Sequence, residues 1–159
     1  MYRYWFALHI LGILAFLACH GVSMFVLYRI RRVGLDRDKI AELIAFNGTT
    51  VRPTYISLAV LVVAGFVAGF EGQWLNDWWI WIAIAVLVLT TVLMTAIAKP
   101  YFEKISASCG LRPSGIPRMS DEELSELVHA GTAHLITVVG MVGLLVIVYL
   151  MIFKPGIRY

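Results

Sequence analysis

Two histidines, His9 and His20, stand inside the apolar run of residues 4–28, YWFALHILGILAFLACHGVSMFVLY. An ionisable ring in such a run is expensive to bury and marks a functional site whose partner has to be found. Successive residues of an α-helix turn ~100° and rise ~1.5 Å, so eleven positions bring His20 back to within ~20° of His9, about 16 Å along the axis. Both imidazoles therefore project from one stripe. Neutral imidazole ligates haem iron inside helical bundles, and with soft sulfur donors it ligates copper, so the chemistry expected of the stripe is that of a bound redox metal. Two further histidines, His129 and His134, lie in HAGTAH, just before the last apolar run.

The surrounding sequence is that of an integral membrane protein. Of its 159 residues, 60% are hydrophobic and 14% charged, and the mean hydropathy is +0.84, far from the composition of a soluble domain. Four apolar runs, residues 4–28, 53–70, 78–98 and 132–153, reach or approach the roughly 20 helical residues that cross a bilayer core. Lipid offers the backbone no hydrogen bonds, so each run must be helical. The expectation is an all-α, four-helix membrane bundle forming one domain over residues 1–159. The first run is too long and continuous for a signal peptide and is expected to stay as a span.

The net charge of +3 serves orientation rather than nucleic-acid binding. Arg29, Arg31, Arg32, Arg37, Lys39 and Arg52 lie between the first two runs, and Lys99, Lys104, Arg112 and Arg118 between the last two, while residues 71–77 carry no basic group. The positive-inside rule makes the basic loops cytoplasmic and both termini external, in a bacterial inner membrane. Tyr4, Trp5, Trp74, Trp78, Trp79, Trp81 and Tyr149 then fall at the outer ends as an interfacial belt. Cys19 and Cys109 sit in different environments and form neither a CxxC motif nor an expected disulfide.

Ile40, Leu43 and Ile44 predict a short amphipathic helix on the inner membrane surface, broken at Asn47-Gly48. Arg52-Pro53 opens the second span with proline in its first turn. Gly65 and Gly69, beside Ala64 and Ala68, form a small-residue face for close packing, within the bundle or in a homodimer. Thr90, Thr91 and Thr95 are expected to bond back to their own helix, which Lys99-Pro100 closes. Ser120 with Glu123 reads as a capping box starting a helix that continues unbroken into the last span.

That continuity sorts the histidines. His134 falls on the stripe of Leu124, Leu127, Val138, Met141 and Leu145, facing the bundle, whereas His129 points away beside Glu126. His20 and His134 share a depth near the inner face, so they are expected to hold a b-type haem between the first and last helices, with Arg29 and Arg52 as propionate partners. His9, one turn inside the outer face, is a further haem ligand, with Met151, water or nothing opposite. His20 and Met24, four apart, with Cys19 adjacent, offer copper(I) an alternative site. A cofactor-free accessory subunit is the remaining alternative. The spans hold no Asp, Glu, Lys or Arg for a proton path, so any activity is that of a membrane oxidoreductase.

The opening YWFALHILGILAF, the Arg52-Pro53 start of a glycine-bearing second helix and the tryptophan-rich start of the third resemble the small four-helix proteins of the CopD-like group. That group includes uncharacterised integral membrane proteins, copper-resistance CopD domains and, more distantly, HemJ-type protoporphyrinogen oxidases. The likeness covers roughly the first hundred residues. It implies a haem-associated role for His9. HemJ-type proteins also use a lysine in the third helix, where this chain has threonines until Lys99. The expectation is an electron-transfer protein of the lipid bilayer, working with redox partner subunits as a small part of a larger complex.

Overall fold

A computed structural model describes residues 1–156. The helices are α1 (Tyr2–Ile30), α2 (Arg37–Glu71), α3 (Trp78–Ser108), α4 (Asp121–His129) and α5 (Thr132–Phe153), with a 3-10 turn at Trp74–Asn76. Four stretches are long and apolar enough to cross a membrane: α1, α2, α3 and the α4–α5 segment. The fold is the expected all-α four-helix bundle. One end carries the basic loops and the other the tryptophans. At the aromatic end the Met1 amine lies 3.9 Å from Glu71 and the Lys154 ammonium sits 3.8 Å above the Trp74 ring.

The bundle is two tight pairs. α1 packs along α2 and α3 along α5, while α1 meets α5, and α2 meets α3, only lightly. Small residues make the close approaches. Gly12 of α1 lies against the Leu61 backbone, where a Cβ would come within 2.9 Å. Gly143 of α5 receives the Thr90 side chain. Gly69 faces Ile80 and Leu75, and Ala64 and Ala68 are buried, so the small-residue face of α2 is used inside the bundle.

α2 and α3 are longer than the sequence suggests. α2 runs 35 residues through Asn47, Gly48 and Pro53, which corrects the expected break and the expected helix start at Pro53. Hydroxyls around the proline bond back to helix carbonyls, Thr54 to Thr50 at 2.7 Å and Ser57 to Pro53 at 2.8 Å, as they do in bent membrane helices. α3 likewise passes Pro100 and ends at Ser108. Both extensions are held by burial. Ile40 of α2 and Tyr101 and Ile105 of α3 join Val26, Leu27, Ile30, Leu124, Val128, Ala133 and Ile136 in one core at the basic end.

The last span does not begin at Ser120. Its capping box forms, with Ser120 and Glu123 exchanging hydrogen bonds at 2.8 and 3.2 Å, but the helix breaks at Ala130, whose backbone is extended (φ −53°, ψ 152°). The carbonyls that a continuing helix would use are taken by side chains: Tyr101 donates to Val128 O at 3.4 Å and Arg31 to His129 O at 3.2 Å. The break resets the helical phase. Val138, Met141 and Leu145, expected to face the bundle, are 56%, 47% and 60% exposed, and the buried line is Ala133, Ile136, Gly143 and Leu150. Trp79, expected in the interfacial belt, is buried with Ile80, Ala83 and Leu150.

Arg37, in the first turn of α2, ties the basic end together. Its guanidinium donates to Ser108 O at 2.7 Å, Met119 O at 2.8 Å and the Asp121 carboxylate at 2.6 Å, and its side chain is only 16% exposed. One cation thus joins the end of α3, the loop after it and the start of α4, each bond charge-assisted. Beside it, burial pushes the Cys109 thiol above its ordinary range, with Arg37 pulling the other way. Because the thiolate is the reactive form, Cys109 should alkylate slowly at neutral pH and faster as pH rises toward its raised pKa. Arg37→Met should speed maleimide labelling by about tenfold, the equivalent of ~1.4 kcal/mol of easier opening. Electrostatics alone predicts the reverse, since losing the cation favours the thiol. A slower reaction would show that Arg37 tunes Cys109 without clamping the fold.

Candidate functional site

The site grows from one winding face of α1, on which His9, Phe16, His20, Met24, Tyr28 and Arg31 follow at helical spacing. Along this face each histidine meets a different neighbour.

His9 is half-buried against α2. Its Nδ1–H donates to the Leu61 carbonyl at 2.6 Å, and its ring fills the space above Gly65, where a Cβ would lie 2.7 Å away. A carbonyl only accepts, so a proton is on Nδ1. Met151 packs with the Trp79–Leu150 cluster.

His20 lies in the seam where α1, α3 and α5 converge. Its ring stacks on Phe16, with centroids 5.6 Å apart and planes at 7°. Its Nε2 approaches Gly140 of α5, coming 3.5 Å from the position a Cβ would take, and the Met94 methyl and sulfur of α3 lie 3.6 and 3.8 Å from that same point. A methyl group at Gly140 would thus be in ordinary van der Waals contact with both donors. Among the described residues His9, His129 and His134 each have a ring nitrogen in a hydrogen bond, and His20 has none.

Toward the basic end the seam becomes polar. Tyr28 bonds Thr137 at 2.9 Å, and Thr137 donates to Ala133 O at 2.9 Å with the Met24 sulfur 4.0 Å from its hydroxyl. Tyr28 also meets the His134 ring edge-on, with centroids 6.2 Å apart. His134 is exposed, and its Nε2 accepts from Arg31 at 3.1 Å. Arginine has only donors, so that lone pair is committed.

The structure therefore does not bring His20 and His134 to one level. Their contacts on α5, Gly140 and His134 itself, are six residues or ~9 Å apart, and the Tyr28–Thr137 hydrogen bond lies between them. The expected pairing relied on an unbroken last helix. Arg29 and Arg52 are exposed at the basic end, and it is Arg31 that reaches a histidine. His129 is exposed, as expected, with its Nδ1–H on Ser125 O at 3.0 Å.

Among the described residues no three His, Cys, Asp or Glu side chains group together, so the donors available to His20 are methionines. Met94 escaped the sequence reading because the third span looks uniformly lipid-like. The signal for it was on the last span: Gly140 and Gly143, three apart, mark where α3 comes close. A cleft of about 420 Å³ beside Arg37 sets Arg112 and Arg118 against Asp121 and Glu123, and these opposed charges favour neither anion nor cation.

The glycine contacts can be tested as a pair. Gly12→Ala meets the Leu61 backbone, which cannot give way, and should destabilise the protein by about 1–3 kcal/mol in detergent unfolding. Gly65→Ala meets only the end of the His9 side chain, so its cost should shrink in the His9→Ala/Gly65→Ala double variant, with a coupling of about 0.5–3 kcal/mol. Strict additivity would mean that His9 does not occupy the Gly65 notch. No known family, curated protein or solved structure matches this chain.

Proposed function

We propose that this chain is an integral membrane metalloprotein that carries single electrons, with a redox-active metal held at His20 between α1, α3 and α5. One observation carries the reading: His20, which makes no hydrogen bond among the described residues, points Nε2 at the place over Gly140 that the Met94 thioether also reaches. His20 is half-buried in an apolar span, and an imidazole there without a hydrogen-bond partner costs free energy unless something else satisfies its lone pair; a metal does so. The spans offer no carboxylate or amine for a proton path, which favours electron transfer over proton-coupled transport. The positive-inside rule assigns the basic loops to the cytoplasm of a bacterial cell, with membrane-borne redox partners giving and taking the electron.

A b-type haem is the second reading of the same centre. His20 and Met94 would be its axial ligands, a combination that raises haem potential. The light contact between α1 and α5 favours it, because the seam can part where the α1–α2 and α3–α5 pairs cannot. The haem reading keeps His20 from the expected ligand set and replaces His134.

The test is the visible spectrum and metal content of protein purified from cells supplied with iron and copper. About one equivalent of redox-active metal is expected, lost in His20→Ala and kept in His129→Ala and His134→Ala. Reduced α and β bands with a Soret maximum identify haem. Metal-free protein, or metal that survives His20→Ala, overturns the proposal.

A further inference from the structure

We infer that His20, Met94 and Met24 form a binding site for one copper(I) ion. The inference rests on the reading of His20 as a metal ligand and names the metal and its other donors. His20 Nε2 and the Met94 sulfur both lie within 4 Å of the Cβ position of Gly140. Met24, four residues after His20 on α1 and so adjacent on the helix surface, brings its sulfur to Thr137, one turn of α5 from Gly140. Two helices, α1 and α3, thus supply one imidazole and two thioethers, with α5 packed against them.

The donor set selects the ion. Thioethers are neutral and soft, so they hold copper(I) and discriminate against magnesium, calcium and manganese, which take oxygen donors. No carboxylate or thiolate joins the group, which lowers the attraction for zinc. A monovalent ion also leaves the smallest net charge in an apolar surrounding where buried charge is costly. Size favours an ion over a macrocycle: Phe16 lies parallel to the His20 ring, and the space over Gly140 between Nε2 and the Met94 sulfur is about that of one methyl group, so an ion fits with small methionine rotations. Unbranched methionine has three rotatable bonds with which to make them.

The experiment titrates the full-length protein in detergent, anaerobically, with copper(I) supplied as its bicinchoninate complex. One ion per chain should transfer to the protein, and X-ray absorption should show sulfur and nitrogen neighbours. Losing an outer-shell partner of a metal ligand weakens binding roughly 10–100-fold, and His20→Ala and Met94→Leu, which remove ligands, should each weaken it at least as much. Met24→Leu should weaken it too, while Met119→Leu, in the core at the basic end, leaves it unchanged. Leucine keeps methionine's bulk, so Met94→Leu carries the test if His20→Ala fails to fold. Copper(I) uptake indifferent to Met94→Leu and Met24→Leu overturns the site. Stoichiometric haem lost in His20→Ala, without copper(I) affinity, overturns copper but leaves the metalloprotein reading; absence of both metals overturns both.

Discussion

In lipid, apolar helices gain nothing from hiding their side chains from one another, so association depends on close packing and on the few polar bonds that helices can exchange. In this chain that constraint is met by glycines. Gly12 sits on the Leu61 backbone, Gly65 takes the His9 ring, and Gly143 takes the Thr90 side chain. Each lets one helix of a pair approach its partner more closely than a methyl group would permit. The tight α1–α2 and α3–α5 pairs follow from these contacts, and so does the looser seam between the pairs.

What keeps the two pairs together lies largely beyond the apolar runs. The core at the basic end draws on all five helices, and Arg37 binds the end of α3 and the start of α4 to the start of α2. There water supplies the hydrophobic driving force that lipid does not. The bundle is thus fastened at the basic end and pinned again at the aromatic end by the Trp74–Trp79 contact and Lys154. Between these fastenings the seam is filled by flexible or planar side chains, Phe16, His20, Met24 and Met94. A fold built in this way concentrates its adaptable interior in the region that holds His20.

The fold class, the four spans and the capping box at Ser120 were legible in the sequence because each depends on local properties: length, hydropathy and one hydrogen-bonded turn. Helix ends were less legible. Asn47, Gly48, Pro53 and Pro100 read as breakers, but their helices continue because Ile40, Tyr101 and Ile105 are buried beyond them, and tertiary burial outweighs local propensity. Ala130 carries the opposite lesson. Alanine is a strong helix former, and the chain breaks there because Tyr101 and Arg31, distant in sequence, take the carbonyls that the helix would have used. The stripe of His9 and His20 was readable from spacing alone. Their partners were not, since Leu61, Gly65, Met94 and Gly140 are set by helix pairing and the helical phase after the break.

The contrast between His20 and His134 shows how environment divides residues of the same type. Both lie along the α1–α5 seam, and spacing alone made them a pair. His134 is at the exposed end, where its lone pair satisfies an arginine that has no acidic partner among the described residues. His20 is about 9 Å deeper, past the Tyr28–Thr137 hydrogen bond, where its ring meets a benzene ring, a bare glycine and a thioether. None of these is a strong hydrogen-bond acceptor or donor for an imidazole. A histidine kept only for packing would be better replaced by leucine or phenylalanine, which carry no desolvation cost at that depth. The two rings therefore differ in what holds them: the His134 Nε2 lone pair is committed to Arg31, whereas His20 meets Phe16, Gly140 and Met94.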